Sequence, residues 1–279
     1  MKNLLSKHPV KVCWFLFSIL IAVHAFEAIV LRMDESVFGE NFINKLFGIL
    51  VIWLVLRMLQ WKWSDIGLGR DGIVKGICSG IALAASVFLV AYGVEFLILK
   101  RGGASVRFDF FTMGFSLTGV TAIHRGIAYI LMCVFFNVIN VIMEECGFRG
   151  LFTGLLKTER SARFSILFQA FLFGIWHVVT PLHNFIDGDL DIGGFLGLSV
   201  GYIVLAGIMG IKWGLLHQMT GSLYMGMADH FFNNCIATNL LHVTTESGTD
   251  EMMIVRVLIA QCLSFGIVVW IWRRRKQKV

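Results

Sequence analysis

The sequence predicts an all-α protein, a polytopic membrane bundle of about eight transmembrane helices. Of its 279 residues 57% are hydrophobic and only 15% are charged, and the mean hydropathy is +0.77. A soluble domain carries about 25% charged residues. The chain also has only two prolines, so few residues interrupt a helix. We therefore expect the protein to fold within a lipid bilayer rather than around a soluble core.

Eight apolar stretches account for the predicted helices, because a transmembrane helix needs about 20 such residues. They cover residues 12–32, 41–60, 73–99, 126–156, 160–181, 195–218, 221–240 and 253–272. The third and fourth exceed one perpendicular crossing, so they are expected to tilt or to extend into water. We expect one integral membrane domain with three parts. These are helices 1–3 with a connecting loop in 1–124, a core of helices 4–7 in 125–240, and the last helix with a basic tail in 241–279.

The distribution of lysine and arginine predicts that both termini are cytoplasmic. With the N-terminus inside, 17 of the 24 basic residues lie on the inner side, and Lys45 is among the seven outside. The acidic loops 34–40 and 187–191 then share the outer side. The basic tail 273–278 would meet anionic lipid, so the net charge of +6 predicts lipid contact and no nucleic acid partner. The N-terminal apolar run is long enough to span, so it is not expected to be a cleaved signal peptide.

The fourth predicted helix carries polar groups, which are costly inside a membrane and indicate function. Asn137, Asn140 and Glu144 are three and four residues apart and share one helical face. Glu145 points about 100° away, and Arg149 follows it by four residues, a spacing that predicts an ion pair. This pair leaves Glu144 without a partner and makes it the candidate for chemistry.

Two further helices carry polar motifs at a matching depth. Phe173 and His177 lie four residues apart in the fifth predicted helix. His230 and Asn234 lie one turn apart in the seventh. At about 1.5 Å per residue, counted from the short turns near 157–163 and 220, the polar groups of all three helices lie about 15–21 Å from one membrane face. We therefore expect them to meet at one intramembrane site.

Three motifs in this order, within about residues 125–240, resemble the CPBP family, which contains CAAX proteases and the bacterial Abi and bacteriocin self-immunity proteins. The first is Glu-Glu-x-x-x-Arg, present at 144–150 as "EECGFRG". The second is Phe-x-x-x-His at Phe173 and His177. The third is His-x-x-x-Asn at His230 and Asn234.

The resemblance implies an eight-helix intramembrane endopeptidase of the glutamic type. It implies that Glu144 is the general base for a water and that His177 assists it, while His230 and Asn234 stabilise the oxyanion. The residues implied to support the site are Glu145, Arg149 and Phe173. No cofactor is implied, and the implied partners are the lipid bilayer and a membrane-embedded or lipid-anchored protein or peptide substrate. Amide hydrolysis needs a base for water and donors for the oxyanion, and these residue types supply both.

Two other function classes remain open at this point. A zinc-dependent membrane peptidase could use Glu144, His177 and His230 as ligands, although the sequence has no HExxH motif. A non-catalytic carrier or membrane scaffold would also place polar residues inside the membrane. The residues that fit a carrier, or more simply interhelical hydrogen bonds, are His24, Glu27 and Glu95.

Three weaker motifs have structural interpretations. Residues 197–201 ("GLSVG") match the G-x-S-x-G of serine hydrolases, but they also match G-x-x-x-G, which predicts close helix packing and no catalytic role for Ser199. The loop 187–191 is not expected to bind calcium, because Ile192 and Leu198 replace the required glycine and glutamate. The six cysteines lie in apolar stretches without a CxxC, so no disulfide framework is expected.

Overall fold

The computed structural model describes residues 7–36, 40–112 and 123–277, and most of these are helical. The α-helices are α1 (Pro9–Phe26), α2 (Ile43–Leu59), α3 (Ile73–Arg101), α4 (Ile127–Glu144), α5 (Thr153–Leu156), α6 (Ala162–Trp176), α7 (Val179–Ile186), α8 (Ile192–Thr220), α9 (Tyr224–Phe231) and α10 (Met253–Lys276). Two short strands, β1 (Arg107–Phe110) and β2 (Leu241–Thr244), pair antiparallel with Arg107 opposite Thr244. The predicted all-α membrane bundle is confirmed, with this small sheet added.

Six helical segments of the described chain are long and apolar enough to cross a membrane. They are Pro9–Leu31, Ile73–Arg101, Ile127–Leu156, Ala162–Ile186, Ile192–Thr220 and Met253–Arg275. The second predicted span forms the shorter helix α2, which has 17 residues. The seventh forms α9 and a π-helical continuation, Phe232–Thr238. The protein is therefore an integral membrane protein, but the predicted count of eight transmembrane helices is not confirmed.

Wide π-helical turns extend three helices of the described chain. They are Glu27–Leu31 after α1, Glu145–Phe152 between α4 and α5, and Phe232–Thr238 after α9. Such turns are rare and occur frequently at functional sites. The second contains Glu145 and Arg149, and the third contains Asn234. Two of the three sequence motifs therefore include a stretch where the helix departs from α geometry.

Aromatic rings pack around the wide turn that follows α4. Phe148 lies edge-on to three other rings, at centroid distances of 5.4, 5.1 and 6.1 Å. Those rings are Phe152, Phe173 and Trp176, and all are buried. Edge-to-face pairs contribute about 0.5–1.5 kcal/mol beyond the burial of their area. This packing holds α4 and its wide turn against α6.

The contact between α3 and α9 depends on a glycine. A Cβ at Gly80 would lie 2.3 Å from the carbonyl oxygen of Met225 and 2.8 Å from the Cβ of Ala228. No larger residue fits there without moving the backbone, so the two helices pack directly against each other. This close approach fixes the position of α9, which carries His230.

The glycines on either side of Ser199 do not mediate helix packing. Among the residues with described positions, nothing lies within 4 Å of a Cβ built at Gly197 or Gly201. Leu196 and Val200 beside them are 56% and 60% exposed, as expected for a surface that faces lipid. The close-packing interpretation of this motif is wrong, because α8 turns these glycines away from its neighbours.

The described residues of the two acidic loops lie at the same end of the bundle, as expected. Arg32 contacts Glu35 at 3.0 Å and also contacts Asp187. His183 lies 3.1 Å from Asp187. Exposed ion pairs contribute little stability, so these contacts matter mainly as evidence of proximity. The side of the membrane on which this end lies remains a prediction from the basic residues.

Candidate active site

A cavity of ≈ 430 Å³ connects the acidic-loop end of the bundle with the motif residues. At that end its lining includes Asp34, Glu40, His183 and Asp250. Three of the four predicted catalytic residues also line it, namely Glu144, His177 and Asn234. The two asparagines predicted to share a face with Glu144, Asn137 and Asn140, line it as well. The fourth predicted residue, His230, contacts two of the lining residues directly.

Glu144 is buried, and its two carboxylate oxygens have different surroundings. Oε1 accepts hydrogen bonds from Nζ of Lys45 and from Nε1 of Trp176, both at 3.0 Å. Oε2 has no hydrogen-bond partner among the described residues. The expectation that Glu144 lacks an ion-pair partner is wrong, because it considered charges on the same helix and the partner lies on α2. Lys45 and Glu144 side chains are only 7% and 3% exposed.

The start of α2 places Lys45 inside the bundle. The carboxylate of Glu27 accepts the backbone N–H groups of Ile43 at 2.8 Å and Asn44 at 2.5 Å. These N–H groups have no partner within the helix, so Glu27 caps α2 from outside it. Lys45 follows immediately and is buried inside the bundle. The interhelical hydrogen bonding predicted for Glu27 is confirmed.

Glu145 and Arg149 form the predicted ion pair, with Oε1 and Nη1 separated by 3.4 Å and both side chains fully buried. The guanidinium carbon of Arg149 lies 3.8 Å from the ring centroid of Phe173 and 4.9 Å from that of Trp213. The guanidinium has no hydrogen-bond partner in the described chain. Its buried charge is therefore balanced by the carboxylate and by two aromatic faces.

His230 joins the two adjacent carboxylates, which the sequence did not predict. Its Nδ1 lies 2.9 Å from Oε1 of Glu145, and its Nε2 lies 3.6 Å from Oε2 of Glu144. Nδ2 of Asn234 lies 3.1 Å from the same Nε2. The imidazole stacks on the ring of Trp213, with centroids 3.9 Å apart and planes inclined by 15°. Each edge of the imidazole is thus held by a polar partner and one face is held by a ring.

His177 lines the cavity, and one of its ring nitrogens is hydrogen-bonded to the backbone of its own helix. Its Nδ1 lies 2.8 Å from the carbonyl oxygen of Phe173, which can only accept. Nδ1 therefore carries the hydrogen, and Nε2 of the neutral imidazole is an acceptor. Any residue four positions earlier would supply this carbonyl; the phenylalanine itself contributes its ring, which lies edge-on to His177 at a centroid distance of 4.6 Å and under the Arg149 guanidinium.

Two acidic residues near the cavity mouth titrate abnormally. Burial raises the pKa of Glu40 to about 8, although the charge of Lys45 opposes the change. At Asp250 burial also favours the neutral form, but the hydrogen bond from His242 and the charge of Arg256 outweigh it and lower the pKa. Near neutral pH Asp250 is therefore ionised, while Glu40 is mostly protonated.

The arrangement of ligand atoms weighs against the zinc alternative. Within the described ranges, one set of three His, Cys, Asp or Glu side chains brings its ligand atoms within 4.8 Å of one another, and it lies at the acidic-loop end. That set is Glu35, His183 and Asp187, and Arg32 already contacts both of its carboxylates. Glu144, His177 and His230 form no such set, and the Lys45 ammonium on Glu144 would repel a metal cation.

Residues 126–236 match the family model described as type II CAAX prenyl endopeptidase Rce1-like. The matched range runs from the start of α4 into the π-helical turn after α9. It contains all four predicted catalytic residues, Glu144, His177, His230 and Asn234. The resemblance to the CPBP family is therefore confirmed. A search of the curated proteins and a search of the solved structures gave no match.

Proposed function

We propose that this chain, whose segment 126–236 belongs to the type II CAAX prenyl endopeptidase family, hydrolyses a peptide bond of a membrane-associated protein by a glutamic mechanism. One observation carries the proposal. Two donors hold Oε1 of Glu144, while Oε2 has no partner in the described chain and lies beside His230 in a polar, buried setting. A carboxylate held in this way can take a proton from water without changing its position.

The reaction begins with the proton transfer from water to Oε2 of Glu144. The water oxygen attacks the scissile carbonyl carbon, and the carbonyl electrons move to its oxygen as an oxyanion. Nε2 of His177 accepts a hydrogen bond from the second water hydrogen. The C–N bond then breaks as the oxyanion electrons return, and Glu144 passes its proton to the leaving amine. A positioned base contributes about 10²–10⁴ in rate.

Asn234 is the proposed donor to the oxyanion. Its amide nitrogen has two N–H groups, and one of them points at His230. The other has no partner among the described residues and can stabilise the oxyanion, a contact worth about 10²–10³ in rate. The resemblance gave His230 the same role, but its position favours another. Nε2 of His230 accepts from Asn234, which orients that amide for the oxyanion, and it lies 3.6 Å from Oε2 of Glu144.

The cavity indicates how a substrate reaches these groups. Its lining runs from the acidic loops to Glu144, so a peptide segment would enter at the acidic-loop end. The family supports a membrane-associated protein as substrate. We propose that the scissile segment is an extended stretch of such a protein, drawn out of the bilayer surface into the cavity.

The test compares wild type with Glu144→Gln on solubilised membrane proteins and reads new C-termini by mass spectrometry. Glu144→Gln should lower their rate of appearance by about 10² or more, because an amide is not a base. The matched control is Glu159→Gln, at an exposed glutamate in the turn after α5. A second inactive form, Lys45→Met with Glu144→Gln, removes both buried charges together. Equal cleavage by wild type and both Glu144 variants would refute the mechanism.

A further inference from the structure

A continuous line of polar side chains runs from α8 to the candidate active site. It begins at Lys212 and passes through Gln261, Asn233 and Asn234 to His230. Lys212 and Gln261 are 1% and 2% exposed, far from any terminus of their helices. None of the first three residues belongs to a motif found in the sequence. We call Gln261, Asn233 and Asn234 the amide chain.

Lys212 fixes the orientation of the first amide. Its ammonium donates to Asp229, to Oε1 of Gln261 at 2.7 Å and to Oγ of Ser264 at 3.1 Å. An ammonium has three N–H groups and no acceptor, so all three donors are in use. The group of Gln261 that faces Lys212 must therefore be its oxygen. The usual ambiguity between amide oxygen and nitrogen does not arise here.

Each later amide inherits this orientation. With its oxygen on Lys212, Gln261 donates through Nε2 to Oδ1 of Asn233 at 2.8 Å. Asn233 then donates through Nδ2 to Oδ1 of Asn234, also at 2.8 Å. Asn234 is left to direct its Nδ2 at Nε2 of His230, at 3.1 Å. An N–H group at this distance needs an acceptor, so Nε2 of His230 carries a lone pair.

Glu145 fixes the position of the hydrogen on the other nitrogen of the imidazole. Nδ1 of His230 lies 2.9 Å from Oε1 of Glu145, which is paired with Arg149 and accepts hydrogen bonds. Nδ1 therefore carries the only ring hydrogen. A protonated imidazolium would direct a second N–H at the N–H of Asn234, which is unfavourable. We propose that Lys212, Gln261 and Asn233 are positioning residues, which through Asn234 hold His230 as the neutral tautomer, with its Nε2 lone pair on Asn234 beside Glu144.

This inference rests on the proposed function, because it assigns His230 and the amide chain as the groups that orient Asn234 beside the catalytic carboxylate. It also explains why charged and amide groups stay buried in a lipid-embedded bundle. Unsatisfied groups there are costly, so each link holds its neighbour in one orientation. The Lys212 ammonium, which cannot accept a hydrogen bond, sets the donor-to-acceptor direction of the amide chain.

Nitrogen NMR of protein with isotope-labelled histidine tests the tautomer directly. The His230 signal is assigned by its loss in His230→Gln. Wild type should show a protonated Nδ1 and an unprotonated Nε2 at neutral pH. Protonation of both nitrogens, or of Nε2 alone, overturns the proposal. This measurement needs no turnover and can be repeated in Glu144→Gln, so it stands apart from any failure of the proposed function.

A pair of variants tests the role of the amide chain. Gln261→Met breaks it, and Gln169→Met is the control at a glutamine that is also buried but bonds only to backbone carbonyls. Gln261→Met should broaden or change the His230 signal and lower cleavage about tenfold or more, since a histidine in the wrong tautomer is ineffective. Gln169→Met should leave both unchanged. A loss of cleavage in Gln261→Met with an unchanged His230 signal overturns the proposal and indicates a purely structural role. Where Gln261→Met does not fold, the wild-type spectrum decides.

Discussion

The ion pair between Lys45 and Glu144 should dominate the stability of the site, and a double-mutant cycle measures it. Lys45→Met removes the ammonium 3.0 Å from Oε1 and leaves a carboxylate that is 3% exposed without a counter-charge. Removing one partner of a buried pair is expected to lower the free energy of unfolding by about 3–5 kcal/mol. Trp176 still donates to the same oxygen, so the lower end of this range is expected.

The double variant Lys45→Met with Glu144→Gln should recover most of that loss. It leaves no unpaired charge, and replacing a whole buried pair by neutral groups is often close to neutral in free energy. Because each single substitution leaves one buried charge unpaired and the double substitution leaves none, the coupling energy of the cycle should exceed about 3 kcal/mol, far above the value for exposed pairs. Activity should stay absent in the double variant, because stability returns without a base.

The assay is denaturant or thermal unfolding of each purified variant in the same detergent, with cleavage measured in parallel. Lys75→Met is the control. Lys75 is an exposed lysine, so this variant makes the same substitution without breaking a buried pair. Additive effects of the two single substitutions would refute the reasoning. So would a Lys45→Met variant as stable as Lys75→Met, since Glu144 would then not depend on the ammonium.

Four further outcomes are expected. Asn234→Ala should lower cleavage by about 10²–10³ with folding retained, and full activity would exclude it as oxyanion donor. Ser199→Ala should leave cleavage unchanged, because Ser199 is buried and does not line the cavity; its inactivation would favour a serine nucleophile. Exhaustive chelation should leave cleavage unchanged, and loss restored by zinc would favour the zinc alternative. A raised pKa means that folded Glu40 binds its proton more tightly than the unfolded chain, so the stability of wild type relative to Glu40→Gln should fall from about pH 4.5 to 8, as thermal unfolding can check.

The sequence predicted the ion pair along one helix and the proximity of the motif residues, but it missed partners from helices that carry no motif. The pairing of Glu145 with Arg149 follows from their spacing of four, and the structure has it. Lys45 lies 99 residues from Glu144, and its role depends on which helix packs beside α4. In the sequence it resembled any basic residue near a membrane boundary. The available signal was a lysine five residues into an apolar stretch, where a charged side chain needs a counter-charge.

The sequence mispredicted the lengths of two helices for a related reason. Hydropathy identifies a stretch as apolar but does not measure how far a helix runs before neighbouring polar groups end it. α2 begins where Glu27 caps it, inside the bundle, so it has only 17 residues. The seventh stretch changes to a π-helical turn at Phe232, close to the asparagines of the amide chain. Both departures from the expected spans occur where polar contacts of the site constrain the backbone.

The geometry also gives a reason for two adjacent glutamates. Neighbouring residues on an α-helix point about 100° apart, so they do not normally serve one ligand. Here the helix changes to π geometry at Glu145, and an imidazole has two nitrogens on different edges. His230 therefore reaches Glu145 with Nδ1 and faces Glu144 with Nε2. One carboxylate fixes the ring hydrogen and is balanced by Arg149, and the other keeps a free oxygen. Glu145→Gln should consequently change the His230 tautomer, as read by nitrogen NMR, while Glu144 keeps its contacts and its role as base. This outcome distinguishes an orienting residue from a base.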